Sequence, residues 1–280
     1  MRAAALEALG AIDSPRLGNA LQAALVSKDT ALLASARKVA GRVSPALAVK
    51  VNALVLGNGT IREQQEALTT IAQQNVPEAD IVLNAQMDLL AGGKLSPALS
   101  LDVLEAGSKR QDSNLKAKLA AFEQSRKPTD SLTNWRECLE GGDAKLGREI
   151  FFEKAETACL RCHKVKGEGG DVGPDLAGVA KKYDREYLLR SIVEPNATIS
   201  PGYDNVMLTL NDGSIAAGIL NAEDQATVTL KSVADGTPQK IEKGKIKERT
   251  AVPSAMPPGL AEVLGKRGLR DVVEYLATLK

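Results

Sequence analysis

Over the first 126 residues apolar positions recur with a helical period, in amphipathic stretches of ten to fifteen residues. Short breaks at Asp13-Ser14-Pro15, Gly41, Gly57-Asn58-Gly59, Gly92-Gly93 and Gly107 divide them, so roughly eight short helices fit. The stretch Leu6 to Ile12 ends before Ser14-Pro15, that around Ala36 to Val43 before Ser44-Pro45, and that from Glu66 to Gln74 before Val76-Pro77. The three prolines are 30 and then 32 residues apart. A recurring pair of helices at that period predicts an α-solenoid, each pair burying its apolar stripe against the next. An irregular helical bundle with accidental proline spacing is the alternative.

The polar, proline-bearing run Ser125 to Ser131 marks a boundary, and the pattern changes beyond it. Asp143 can cap a helix with Leu146, Ile150 and Phe151 at helical spacing. A closing helix, Leu269 to Leu279, follows Gly268 and gathers Val272, Tyr275, Leu276 and Leu279 on one face. Between these helices, residues 203 to about 250 switch to a period of two. Val206, Leu208 and Leu210 alternate, Asp212-Gly213 supplies a tight turn, and Ile215 to Leu220 and Ala226 to Val233 read as further strands. The expectation is a mainly α protein with helical repeats over 1–126 and a second domain over 132–280, the latter interrupted by a small antiparallel β insertion.

Composition adds limits. At 280 residues, 44% hydrophobic and 25% charged, the chain can bury a real core, and its aromatic content of 3% suits close-packed helices. A net charge of +1 without a run of five like charges gives no sign of a nucleic-acid surface. No apolar run approaches the roughly 20 residues of a membrane span, and the N-terminus lacks a signal-peptide pattern. Met1 leads straight into an Ala- and Leu-rich helical pattern with no polar capping repeat, as expected of a piece of a longer polypeptide.

The chemistry concentrates at Cys159-Leu160-Arg161-Cys162-His163. In a C-x-x-C-H arrangement two thiols can form thioethers with the vinyl groups of haem while the adjacent imidazole reaches the iron. One such motif predicts one covalent haem c held by Cys159, Cys162 and His163. A structural zinc site would want four Cys or His ligands, whereas the chain has three Cys and one His. A thioredoxin-like pair would want a helix N-terminus within a strand-helix-strand unit, and the flanks do not suit it. Cys138, between Trp135 and Leu139, reads as a buried free cysteine.

With His163 the sole histidine, a sixth iron ligand would come from Met, Lys, Tyr or a residue outside the chain. Met1 and Met87 lie in the helical array and Met207 in an apparent strand. Met256 stands in the rigid loop Ser254-Ala255-Met256-Pro257-Pro258-Gly259 and is the expected ligand, making His163 and Met256 the metal-binding pair. Alternatively Met256 packs on the haem edge and the sixth position stays open, which would favour ligand binding.

The helical part resembles HEAT-type repeats in pattern. From Leu132 to Lys280 the order of a Gly-Asp-Ala-x-x-Gly helix, Cys-x-x-Cys-His, Gly-Pro-Asp-Leu, Met-Pro and a C-terminal Tyr-Leu helix resembles a class I cytochrome c. Gly170-Asp171-Val172-Gly173-Pro174-Asp175-Leu176, Glu194-Pro195-Asn196, Gly202-Tyr203, Asp212-Gly213 and Met256-Pro257 look more closely like the Pirellula/Verrucomicrobium-type (planctomycete-type) haem-binding domain, which carries a β insertion before its axial methionine. The resemblance implies that the Pro174 carbonyl accepts a hydrogen bond from His163 Nδ1 and that Gly173 permits the approach. It also implies an exported, periplasmic protein, since haem is attached to this motif outside the cytoplasm. In such proteins the domain commonly ends a larger polypeptide with a dehydrogenase-like propeller.

The expected function is therefore single-electron transfer by a mono-haem cytochrome, with no substrate bond made or broken, as the electron-accepting module of a larger exported dehydrogenase-like protein; its expected partner is a redox partner protein or an attached dehydrogenase domain. The pocket residues Leu176, Ile192, Val193, Leu260 and Leu276 are expected to keep water from the iron. The alternatives are a haem protein with an open sixth site and a helical-repeat scaffold with a redox appendage. Lys240, Lys243, Lys245, Lys247 and Arg249 alternate along what reads as the insertion's last strand, either steering an acidic partner or protecting a sheet edge.

Overall fold

The computed structural model describes residues 1–27, 29–126 and 130–280, with the Arg42 side chain left aside. Part of the boundary run Ser125 to Ser131 thus lies outside the described residues. The chain forms two compact units, Met1–Lys127 and Pro128–Lys280.

Among the described residues the first unit has eight α-helices: α1 (Arg2–Ala11), α2 (Leu17–Leu25), α3 (Thr30–Val43), α4 (Pro45–Asn58), α5 (Ile61–Gln73), α6 (Pro77–Ala91), α7 (Ser100–Ser108) and α8 (Ser113–Ser125). Their starts are chemically marked. Asp29 accepts the Ala31 and Leu32 N–H groups ahead of α3, Thr60 and Glu63 form a reciprocal capping box on α5, and Asp112 caps α8. Pro45 and Pro77 occupy the first turns of α4 and α6, where a missing N–H costs nothing. Gly41 and Gly107 were expected as breaks but lie inside α3 and α7. An isolated glycine costs a helix only about 1 kcal/mol, so the helix runs on to the next real stop.

Packing in this unit follows chain order. α1 lies on α2 and α3, α3 on α4, α4 on α5 and α6, and α6 on α7 and α8. Two cores result, one around Leu21, Ala36 and Val39, the other around Leu68, Ile71, Leu83 and Met87. Buried Arg110 ties the later helices together. Its Nε donates to Asp80 at 2.7 Å and its terminal nitrogens to the carbonyls of Gln74 and Val76, in the link between α5 and α6.

The second unit opens with two 3-10 turns, Ser131–Asn134 and Arg136–Cys138, followed by α9 (Ala144–Glu153), capped by Asp143 as expected. The last helix, α12 (Leu260–Ala277), starts earlier than its pattern suggests and is broken at Gly265, whose φ of +67° suits glycine. α9 and α12 cross where Gly142 and Gly147 meet the main chain of Arg270 and Asp271, positions where any Cβ would overlap a carbonyl. The Asp143 N–H also donates to the Asp271 carboxylate at 2.8 Å. Phe151, Phe152 and Tyr275 cluster at the crossing. With α11 (Arg185–Val193), capped by Asp184, they enclose a core that includes Leu132, Leu189, Leu269, Val273 and the free thiol of Cys138. A further α-helix, α10, is the single turn Cys159–Cys162.

Two sheets complete the unit. A minimal hairpin joins β1 (Lys164–Val165) to β2 (Glu168–Gly169) through Lys166 and Gly167, both at positive φ, the backbone a two-residue hairpin requires. The larger sheet contains β3 (Asn205–Leu210), β4 (Ile215–Glu223), β5 (Thr227–Lys231), β6 (Pro238–Glu242) and β7 (Ile246–Ala251), in the order β6-β5-β4-β3-β7. β6 and β7 stand at opposite edges yet are joined by the one-turn segment Lys243–Lys245. Four interstrand spacings would separate the edges of a flat sheet by about 19 Å. A 3-10 segment of that length covers only about 8 Å, so the sheet must curl toward a closed barrel. Its interior holds Val206, Leu208, Val228, Leu230 and Ile241.

This topology corrects the reading of the basic series. Lys240 lies on β6, Lys247 and Arg249 on β7, and Lys243 and Lys245 on the turn between, so the five do not share a strand. Glu223 at the end of β4 pairs with both Lys243 and Arg249, which closes the curl.

Candidate functional site

After α9 the chain turns at Ala158, held at φ +45°, and enters α10 with Cys159 at its first and Cys162 at its last position. One helical turn sets both sulfurs beside the same opening, and His163, in extended conformation, leaves the turn toward the interior. The β1-β2 hairpin then brings the chain back. The Gly170 N–H donates to the Leu160 carbonyl at 2.9 Å, Gly173 N–H to Cys162 O at 2.7 Å, and Leu176 N–H to Lys164 O at 2.8 Å. The segment from Gly170 to Leu176 is thereby folded against α10.

That fold delivers the Pro174 carbonyl to His163 Nδ1 at 2.9 Å. A carbonyl only accepts, so Nδ1 carries the proton and Nε2 keeps its lone pair free. Gly173 makes the approach possible, since a Cβ there would lie 2.7 Å from His163 Cε1. Burial holds the His163 pKa below the ordinary imidazole value, with the Pro174 hydrogen bond opposing in part, so the ring stays neutral. Burial likewise pushes the Cys159 thiol up, partly offset by Thr157.

His163 Nε2 belongs to a cavity of about 500 Å³, within the range of small-molecule and cofactor sites. Cys159 and Cys162 line it, as do Leu176, Ile192, Leu260 and Leu276. Val193, expected on the wall, is absent from the lining and packs on the core instead.

Met256 is the one methionine on the lining among the described residues; Met87 is buried in the first unit and Met207 lies on β3. Its loop is pinned at three points. Asn196 Oδ1 accepts the Ser254 N–H at 2.8 Å, the Asn205 amide donates to Pro253 O at 2.8 Å, and Ser254 Oγ accepts the Met256 N–H.

Val172 and Tyr203, which belong to the motifs quoted for the resemblance, also line the wall, and Ile219 completes another part of it. Tyr183 and Tyr187 stack there with ring centroids 3.9 Å apart, and only their four-residue spacing could have singled them out. Lys182 is the one lysine of the lining.

An apolar cavity of this size, with two sulfurs on its rim and a half-buried imidazole presenting a free nitrogen, fits covalent haem. The donor set does not suit zinc: among the described residues no group of three or more His, Cys, Asp and Glu could hold a metal ion, and Cys138 turns its thiol to the Lys266 carbonyl. No helix among the described residues is long and apolar enough to cross a membrane.

Residues 144–230 match the model of the cytochrome c family. The match spans α9 to β5, including Cys159, Cys162, His163 and Pro174, and stops short of Met256. No curated protein matches the chain. The matched segment is a class I cytochrome c-like domain, and a domain of this kind binds one covalent haem c with its iron.

Proposed function

We propose, starting from that cytochrome c-like segment, that the chain is a mono-haem electron carrier in which Cys159 and Cys162 anchor the haem, His163 and Met256 are its axial ligands, and Pro174 orients His163. The observation that carries this reading is the pairing of a half-buried His163, its Nδ1 committed to the Pro174 carbonyl, with a pinned Met256 on the wall of the same cavity.

When bound, haem iron supplies one-electron chemistry. The chain's part is to keep Nε2 deprotonated and fixed. The Pro174 carbonyl draws on the Nδ1 proton and so makes the ring a stronger donor. Leu176, Ile192, Leu260 and Leu276 keep water away, and the Asn196 and Asn205 contacts hold the Met256 loop so that ligation costs little ordering. No group on the wall is placed to break a substrate bond in this reading; the electron passes to a redox partner protein.

The finer assignments belong to the same proposal. The planctomycete-type motifs and the β insertion support a haem-binding domain over 132–280 that accepts electrons from a larger, exported dehydrogenase-like protein and works in the periplasm. Packing in chain order and prolines 30 and 32 residues apart support a HEAT-like solenoid over 1–126.

The deciding experiment is optical and electrochemical. Wild type should show thioether-linked haem on a denaturing gel and a low-spin reduced spectrum that carbon monoxide leaves unchanged. Met256→Ala should keep the haem, lower the reduction potential and make the reduced iron accessible to carbon monoxide. A variant with the wild-type potential and spectrum would remove Met256 from the iron. Carbon monoxide binding by the wild type would favour a haem protein with an open sixth site.

A further inference from the structure

The Gly170–Pro174 loop is held to α10 from inside by the hydrogen bonds already described. From the outside it is held by the barrel. Lys231, the last residue of β5, donates from Nζ to the Asp171 main-chain carbonyl at 2.7 Å and pairs with the Asp171 carboxylate at 3.0 Å. The Lys231 side chain is only 18% exposed, so a long, flexible cation is committed to one main-chain position. Ordering such a side chain costs rotamer freedom. A charge-assisted bond to a carbonyl plus an ion pair can offset it.

The β5-β6 turn adds to the grip. Gly236, at φ +76°, lies close enough to Asp171 that a Cβ would sit 3.1 Å from its carboxylate, and the Arg161 guanidinium donates to the Ala234 carbonyl at 3.5 Å. The barrel therefore contacts both the turn that bears the two cysteines and the loop that follows it. Only Val172 and Gly173 separate Asp171 from Pro174, and Val172 is buried.

We propose that Lys231 is a positioning residue for His163: by clamping Asp171 it fixes the Gly170–Pro174 loop, and with it the carbonyl that accepts the His163 Nδ1 proton. This rests on the reading of His163 as an iron ligand. It gives the β insertion a task at the haem, since the curl of the sheet presents the end of β5 to the loop. Depression of the Asp171 carboxyl pKa, caused first by its hydrogen bond to Lys231 and next by the lysine's charge, is consistent with a formed pair.

The test uses the full chain with haem attached. In the reduced protein, solvent exchange of the His163 Nδ1 proton is followed by NMR. Lys231→Met should accelerate it severalfold, because the loop that carries the Pro174 carbonyl is no longer clamped. Lys231→Arg should restore much of the protection. Asp171→Asn leaves the main-chain carbonyl in place and should give a smaller acceleration, which serves as the readout if Lys231→Met fails to fold.

The potential separates positioning from plain charge. The double variant Lys231→Met/Asp171→Asn removes one charge of each sign together with the clamp. If Lys231 positions the loop, the potential rises, because a loosened Nδ1 hydrogen bond makes His163 a weaker donor to ferric iron. If Lys231 acts by charge alone, the double variant stays at the wild-type potential with unchanged exchange, and the proposal fails. Wild type without covalent haem, or with an iron not bound by His163, overturns the reading of the site and this inference with it. Normal ligation with unchanged exchange overturns the inference alone.

Discussion

A methyl group at residue 173 has nowhere to go. It would stand 2.7 Å from His163 Cε1 and 2.9 Å from Nδ1, contacts that a ring held by the Pro174 carbonyl can relieve only by moving. Gly173→Ala is expected to destabilise the second unit by about 1–3 kcal/mol and to raise the potential as the Nδ1 bond lengthens. A variant with wild-type stability and potential would show the loop to be looser than drawn. Asp271 makes a different prediction. Burial raises its pKa from the ordinary 3.8, against the Asp143 N–H that favours the charged form. The folded protein thus holds this proton more tightly than the unfolded chain. The stability contributed is present below pH 3.8 and is lost as pH rises through the higher folded value. Asp271→Asn, which still accepts from Asp143, should equal or exceed wild type in urea unfolding at neutral pH and lose any advantage near pH 3. A neutral-pH loss of more than about 1 kcal/mol would contradict this. At this scale the sequence was most legible where chemistry is local: three residues of two types at fixed spacing mark Cys159, Cys162 and His163. Tyr183 and Ile219 come to the cavity from separate elements, and no local pattern announces that.

Helices carry caps and periods that can be read in one dimension, whereas strand order depends on closure. Asp143, Asp112, Pro45 and Pro77 mark helix starts because each satisfies or omits an N–H at a terminus. Lys240 to Arg249 reads as one alternating strand because Lys243-Gly244-Lys245 does not interrupt the period, although the chain there crosses from one edge of the sheet to the other. The β1-β2 hairpin escaped for a related reason: with two residues per strand there is no period to see, only the positive-φ pair Lys166 and Gly167. The crossing of α9 and α12 is where element packing is least forgiving. Gly147 lies against the Asp271 carbonyl and Tyr275 Cβ with no space for a side chain. Gly147→Ala should part the helices and cost about 1–3 kcal/mol or more in denaturant unfolding, with reduced haem yield at the same expression level. If the variant melts like wild type, the two helices do not approach as closely as these contacts require.

For the whole chain, the decisive feature is that each unit has cores of its own. The clusters around Leu21 and Leu83 draw only on residues before 123, and those around Leu189 and Leu208 only on residues after 131. The hydrophobic period of the sequence also changes near residue 130, and packing partners must share a core before they share anything else. Damage to one set of cores should therefore leave the other's chemistry intact. Arg110 provides the means. Replacing it with Ala takes the charged donor from the largely buried Asp80 carboxylate and leaves the Gln74 and Val76 carbonyls with only their backbone donors. Loss of one partner of such a pair costs about 3–5 kcal/mol when fully buried, and somewhat less here because Asp80 keeps 24% of its side-chain surface exposed. Followed by far-ultraviolet circular dichroism, Arg110→Ala should melt in two steps, the first at lower temperature than in wild type. Followed by the haem absorption band, it should melt where wild type does, with an unchanged potential. A haem transition that moves down together with the helical one would mean that the second unit depends on the first for its fold, and that the separate cores do not measure separate stabilities.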